Sequence, residues 1–488
     1  MGSIFADIHS KTSMPRLSFL YMPCVLLMVV SCSKSSSTNK NARSSPGDIS
    51  LSFAIDPSQP GQNIPGDFSG LSFETKALTD PSYFNAANSS FINLVRGLGT
   101  GVLRVGGNSV DRMYWTNGPR DMHTASNGLT TSDVDRFFGF AAATGWKVMY
   151  ALNLGSSGPR EAAYEARYVY GGYGRQLLCF EIGNEPDFYY ANGLRAPGYS
   201  YESFRQEFEH MADTLKEVVP GVVFSGPAAA THTDIWVLPF PRDEHARIML
   251  LTEHYYKMGP PANPAVTIDK LLDGNSGIIS EAGTMRDAAG AYQLPFRIAE
   301  CNSVFDGGKA GVSNTLASAL WGLDFMFALA ERGAAGVNFH GGGSSDYGPI
   351  ALSDGQFSAR PLYYGLLFFS HASGGSLLNV TKVSGDSMNV SAHAVRQDDG
   401  KILVTLINKD LSKEAFVAMS TGHKWLRGSS LLRLTGPSPA DSTGIRLGGA
   451  PVNADGSWSP LMQEEAAIAG NTCTVKIPAC SAVLLTLQ

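Results

Sequence analysis

Two glutamates close apolar, strand-like runs: Glu185 in Leu178-Cys-Phe-Glu-Ile-Gly-Asn-Glu-Pro186 and Glu300 in Arg297-Ile-Ala-Glu-Cys-Asn-Ser303. A carboxylate at the end of a buried strand is delivered to a rim, and Pro186 keeps the ladder from running on past Glu185. Two such groups facing each other divide the labour of breaking a glycosidic bond. One protonates the departing oxygen, and the other meets the positive charge that develops at the anomeric carbon. If roughly 5 Å separates them, the second attacks as a nucleophile and configuration is retained. The partner with the raised pKa serves as the acid, and the one kept ionised by donors serves as the nucleophile.

The elements that must bring them together can be read from periodicity. Strand-like runs cover Gly70–Phe73, Gly101–Val105, Trp146–Asn153, Leu177–Gly183, Val222–Ser225, Met249–Tyr256, Phe296–Ala299 and Val337–His340. Between them lie amphipathic stretches. Thr131–Ala143 follows a Thr/Ser/Asp cap, Tyr201–Val218 carries Phe204, Phe208, Met211, Ala212 and Leu215 on one stripe, and Ser313–Arg332 is a long helix. Eight strands alternating with helices predict an α/β protein built on a (β/α)8 TIM barrel over residues 65–372. In such a barrel the reacting groups project from the carboxyl ends of the strands, so Glu185 after strand four and Glu300 after strand seven share one mouth. After Gly374 the pattern changes to alternation without helical period, which predicts a C-terminal β-sandwich over 373–488. Ile49–Ile55 alternates in the same way, so an N-terminal segment, 48–64, is expected to add a strand to that sandwich.

Composition narrows the partners. Of 488 residues, 43% are hydrophobic and 16% charged, with a net charge of -6, so the chain has no basic footprint for nucleic acid or for an anionic membrane. Leu17–Val30 is an apolar run flanked by Lys11, Arg16 and Ser31-Cys32, the layout of an export signal over residues 1–32. Val29-Val-Ser-Cys32 resembles a bacterial lipobox in which Cys32 becomes the lipidated first residue; either Met1 or Met14 suits as a start. Residues 33–47 read as a polar tether. The expected location is therefore the cell envelope, through a lipid anchor, or the exterior. Six cysteines are too few for a disulfide framework. Cys179 and Cys301 sit in strand-like runs, leaving Cys473 and Cys480 as the pair able to bridge. No His/Cys spacing suggests a metal site, and the expected reaction needs no metal or organic cofactor.

The motif set resembles glycoside hydrolase family 79, the β-glucuronidases and heparanases among the clan A retaining glycosidases. The resemblance rests on Gly70-Leu-Ser-Phe-Glu74, Leu103-Arg-Val-Gly-Gly-Asn108, Phe180–Pro186, His254-Tyr-Tyr256, Ala299–Ser303 with Gly307-Gly308, and Asn338-Phe-His-Gly-Gly342. These segments span the mature chain in order. The likeness implies Glu185 as acid/base and Glu300 as nucleophile, with Asn184 on the sugar 2-hydroxyl. Tyr255, with Tyr256 as its alternative, would orient the nucleophile, since neighbouring positions face opposite sides of a strand. Glu74 and Asn108 would contact sugar hydroxyls. A sugar carboxylate would be held by backbone amides of Val304-Phe-Asp-Gly-Gly-Lys309 and by Tyr347, with Gly307 and Gly308 allowing close approach. Phe305 stands where the family often has tyrosine, and Asp306 sets a negative charge beside that pocket unless Lys309 offsets it.

The resulting expectation is a retaining β-glucuronidase acting on a glucuronide or a glucuronate-containing oligosaccharide. Alternatives are a clan A enzyme for another sugar, an endo-acting heparanase- or hyaluronidase-like enzyme, and a carbohydrate-capturing lipoprotein without turnover. Arg104 reads equally as a carboxylate partner or a barrel brace. His254 reads as structural, His340 as a pocket floor or a satisfied barrel-end residue, and Tyr164, Tyr168, Tyr170 and Tyr173 as loop packing or sugar platforms.

Overall fold

Eight parallel strands close on themselves: Ser69–Glu74, Val102–Gly106, Lys147–Leu152, Leu177–Ile182, Phe224–Ala229, Ile248–Met258, Phe296–Val304 and Gly336–His340, here barrel strands one to eight. The structure is a computed structural model and describes residues 49–120, 127–342, 345–385, 387–421, 429–462 and 464–487. The segment expected to direct export, Cys32 and the expected tether 33–47 lie outside the described residues. Strand eight returns to strand one through Val337↔Ser69 to His340↔Ser72, which closes the barrel.

Local chemistry fixes the helices. Thr130 and Asp133 form a reciprocal capping box before Thr131–Thr144, and Gly145 ends it at φ 78° in the left-handed region. Ser200 caps Tyr201–Val218, whose Phe204, Phe208, Met211, Ala212 and Leu215 are buried on one face. The helix Leu316–Glu331 is buried along nearly its whole length because it lies under both the barrel and the helix Pro361–Ala372. At the amino end of the barrel Arg297 is buried, bonding Asn338 Oδ1 at 2.6 Å and the carbonyls of Asp67, Phe68 and Ala335. That plug leaves the carboxyl end as the open one.

Four further strands pair as two-stranded ribbons, Tyr114–Thr116 with Gly128–Thr130 and Ile350–Ser353 with Gln356–Ala359, and ten more make one curled sheet. Its fold-over point is the strand Ser376–Gly385. Residues 376–378 pair with Val390–Arg396, whereas 379–385 pair with Leu51–Asp56. The N-terminal strand Leu51–Asp56 is thus interior to the sheet, antiparallel to one neighbour and parallel to Ala415–Thr421 on the other side. Leu51, Phe53 and Ile55 share a core with Val404, Leu406, Val483 and Leu485. Cys179, Cys301, Cys473 and Cys480 are all free thiols, and Cys480 Sγ lies 3.3 Å from the Asp410 carbonyl.

Candidate active site

Strand four and strand seven bring Glu185 and Glu300 to the same mouth. A carboxylate oxygen of each, together with a ring nitrogen of His254, lie within 4.8 Å of one another. Glu185 and Glu300 are 8% and 6% exposed, so each carboxyl is largely stripped of water and its charge depends on its neighbours.

Those neighbours differ. Glu300 accepts from Arg104 Nη1 at 2.6 Å on one oxygen and from the Tyr256 hydroxyl at 2.8 Å on the other, with His340 Nδ1 3.4 Å away. Burial alone would push its pKa up; His340, His254, Arg104 and the Tyr256 hydroxyl together reverse this and hold it well below the usual carboxylate range. Burial itself moves the His254 pKa down to about 4, so at neutral pH the permanent cation in the set is Arg104. Among the described residues no guanidinium contacts Glu185. Burial, then the charges of Glu300 and Asp187, raise its pKa well above the ordinary value. One carboxyl keeps its proton while the other stays ionised.

Arg104 is the hub that arranges this. Fully buried on strand two, it holds Glu181 through Nε at 2.9 Å and Nη2 at 2.6 Å, Ser72 Oγ at 3.0 Å, and Asn184 Oδ1 at 2.9 Å. It is therefore both carboxylate partner and barrel brace. Because Arg104 occupies the Asn184 carbonyl oxygen, the Asn184 amide nitrogen is turned outward, 3.4 Å from Asn108 Oδ1 at the mouth. Among the described residues Glu185, His254 and Glu300 are the acid and imidazole groups spaced as metal ligands. A divalent cation there would sit beside the Arg104 guanidinium, which opposes it electrostatically.

Strain and two braces back the raised carboxyl. Glu185 sits at φ 49°, a left-handed conformation that costs a non-glycine residue on the order of 1 kcal/mol. Its N–H bonds the Ala228 carbonyl at 2.9 Å, and His254 Nδ1 lies 3.0 Å from its Oε1. Asp111, buried after strand two, accepts from the N–H groups of Leu154, Gly155 and Asn184 and from the Tyr189 hydroxyl, all between 2.8 and 3.0 Å. It ties the ends of strands three and four together. Asp187 does the same toward strand five, accepting from the Thr231 N–H at 2.8 Å and hydroxyl at 2.7 Å.

No family model matches the chain. Two curated β-glucuronidases are similar in sequence. That of Aspergillus niger is 24% identical over 347 residues, 63% of this chain and 63% of its own length. That of Neurospora crassa is 25% identical over 366 residues, 64% and 65%. The chain thus spans slightly less than two thirds of the length of these relatives. Among solved structures, a 4-O-α-L-rhamnosyl-β-D-glucuronidase from Fusarium oxysporum superposes with a TM-score of 0.73 at 20% identity, covering 90% of this chain and 100% of its own. A family 51 arabinofuranosidase from Xanthomonas axonopodis gives 0.69 at 19%, with 90% and 100% covered. The fold is shared with these glycosidases.

Measured against the sequence reading, one assignment is corrected. The tyrosine on Glu300 is Tyr256; Tyr255 points the other way and stacks on Phe325 with ring centroids 5.5 Å apart. His254, read as structural, touches Glu185, and His340 touches Ser72 at 2.9 Å and approaches Glu300. Glu74 is turned to its own rim, accepting from the N–H groups of Asn108 at 3.2 Å and Ser109 at 2.8 Å and from the Ser109 hydroxyl. Glu74 and Asn108 nonetheless remain at the mouth, with Glu74 Oε1 3.8 Å from His340 Nε2. Ser72, Asp111 and Glu181 escaped notice, although an arginine and a glutamate inside apolar strands already signalled a buried ion pair.

The loop after strand seven turns through three left-handed residues, Asp306, Gly307 and Gly308, at φ 57°, 85° and 92°. The Gly307 carbonyl accepts the Asp346 N–H at 2.7 Å, which joins this loop to the one after strand eight. A Cβ at Gly308 would lie 2.8 Å from the Tyr347 backbone nitrogen, so the glycine is required for the contact. Tyr347 is buried, its ring 6.1 Å from that of Tyr256. Phe305 is half-exposed and packs against Gly259. Lys309 Nζ is committed to the carbonyls of Val266 at 2.9 Å and Asn263 at 3.2 Å, so it offers no salt bridge to Asp306.

Proposed function

We propose that this chain is a retaining glycoside hydrolase of the clan A type that removes β-linked glucuronic acid by double displacement. The observation that carries the reading is the opposite perturbation of two carboxyls whose oxygens approach within 4.8 Å, Glu185 held protonated and Glu300 held ionised. Protonated Glu185 gives its proton to the glycosidic oxygen as Glu300 attacks the anomeric carbon, forming a covalent glycosyl-enzyme. Glu185, now a carboxylate, takes a proton from water, and the hydroxide equivalent displaces Glu300. Arg104 and Tyr256 keep Glu300 charged between turnovers. Asn184, its oxygen fixed by Arg104, donates from its amide nitrogen to the sugar 2-hydroxyl, a contact that tightens as charge develops.

Two β-glucuronidase relatives support the choice of sugar, as does the glycine-bearing loop beside Tyr347, whose left-handed turn suits an anion. We also propose export with lipidation at Cys32, for which loss of acyl labelling in Cys32→Ser is the check. The test of the reaction is hydrolysis of 4-nitrophenyl β-glucuronide beside the matching β-glucoside and β-xyloside, using protein without residues 1–32 and Glu300→Gln as control. Glucuronide turnover that vanishes in the variant is expected. Turnover of a neutral glycoside alone removes the carboxylate pocket but leaves the glutamate pair, and turnover of none removes the reaction.

A further inference from the structure

On the outer wall of the barrel, the helices Thr131–Thr144 and Pro159–Tyr173 border two adjoining cavities of about 620 and 500 Å3 that share Gly171, Gly172 and Tyr173. Three glycines lie on helical backbone here: Gly139, Gly171 and Gly172. A glycine inside a helix costs roughly 0.5 to 1 kcal/mol relative to alanine. Crowding does not explain these, since a Cβ added at any of the three would meet nothing within 4 Å, and none has a positive φ. Their effect is a bare floor.

Aromatic rings wall that floor. Tyr164 and Tyr170 are 59% and 37% exposed. Tyr168 and Tyr173 are locked, both hydroxyls donating to Asp135 Oδ1 at 2.6 and 2.7 Å, with the Tyr173 ring stacked on Phe138 at 4.4 Å between centroids. The rim is cationic although the chain carries a net charge of -6: Arg167 and Arg175 line the cavities without an ion-pair partner among the described residues. Among the described residues Asp135 is the one acid in the lining, and it is already occupied by the two hydroxyls.

We infer that this groove is a second, non-catalytic binding site for an acidic oligosaccharide. Rigid tyrosine rings offer flat faces to the apolar sides of pyranose rings at little entropic cost. A guanidinium fork matches a uronate carboxylate, and the glycine floor leaves room for a chain of rings to lie along the helices. None of these residues belongs to the mouth that holds Glu185 and Glu300, so the site does not depend on the reaction proposed above.

The test is calorimetric titration with a hexasaccharide of alternating glucuronate and N-acetylglucosamine, with cellohexaose as the neutral probe. Glu300→Gln protein is the parent, so that no turnover intervenes. Two groove variants are added to it, Tyr164→Ala/Arg167→Ala and, leaving every side chain in place, Gly172→Leu. Expected are binding of the acidic probe by the parent, about tenfold weaker binding in both groove variants, and little binding of cellohexaose. Placed in otherwise intact enzyme, the same groove changes leave aryl glycoside turnover unchanged. No binding by the parent, equal binding by parent and groove variants, or cellohexaose binding as tightly overturns the inference. Failure of aryl glucuronide hydrolysis would overturn the proposed reaction and leave this result standing.

Discussion

Glu300 is held on one oxygen by Arg104 and on the other by a single hydroxyl. Tyr256 donates to Glu300 at 2.8 Å, and a hydrogen bond to an ionised group contributes about 1.5 to 3 kcal/mol. Replacing Tyr256 with Phe should therefore raise the Glu300 pKa, shift the acid limb of the kcat/KM profile upward, and lower kcat/KM about tenfold or more. Tyr255→Phe should leave that limb where it was, because the Tyr255 ring packs on Phe325. A pH profile of the two variants side by side reads the difference. On the alkaline side, activity is expected to fall as Glu185 loses the proton that burial and Glu300 keep on it, and Glu185→Gln should abolish that limb.

At the scale of elements, the mouth depends on loops stitched to one another. Asp111 takes four donors from the ends of strands three and four, and its pKa, pushed up to about 6 by burial and restrained by those donors, leaves it ionised at neutral pH. Asp111→Asn offers one acceptor oxygen where there were two, so at least one buried N–H or hydroxyl loses its partner. We expect a loss of about 1 to 3 kcal/mol in urea unfolding and a fall in kcat as the Asn184-Glu185 turn loosens. Gly308→Ala forces the loop after strand seven away from Tyr347 and should raise KM for a glucuronide more than it lowers kcat. The barrel and the two glutamates were legible because strand and helix periods alternate without interruption and both carboxylates close apolar runs. The inward phase of strand six was not. His254 and Tyr256 share a face, but with His254 read as structural nothing in the sequence chose between Tyr255 and Tyr256. Strand five, expected over Val222–Ser225, continues to Ala229 and supplies the carbonyl that holds Glu185. The Asp111 and Asp187 braces depend on loop conformations that periodicity does not encode.

Across the whole molecule, barrel and sheet meet through buried charge. Asp324 of the helix Leu316–Glu331 bonds Lys409 Nζ at 2.7 Å, Asn275 at 2.8 Å and His393 Nε2 at 3.2 Å, while His393 Nδ1 lies 2.6 Å from Glu331 and its ring stacks on Phe327 at 4.5 Å. Burial opposes the His393 charge, but Glu331 and Asp324 outweigh it and raise its pKa to about 9. A folded-state pKa above the unfolded value of about 6.5 means that this contribution is complete below pH 6.5 and lost as pH rises through 9. Unfolding free energy should therefore decline on the order of 3 kcal/mol from this group between pH 6 and 10. His393→Gln, less stable at pH 6, should show a flatter profile, measured by urea titration at each pH. The chain also runs from the sheet into the barrel through Leu51–Asp56, a sheet strand flanked by Ser376–Gly385 and Ala415–Thr421. This strand leaves the ribosome before any of the barrel, yet its hydrogen-bonding neighbours are made only after the barrel is complete. During synthesis an apolar segment with both edges open must wait for several hundred residues. The sheet can close only at the end of translation, so a chain released early would carry an intact set of barrel strands beside a strand with nothing to pair with.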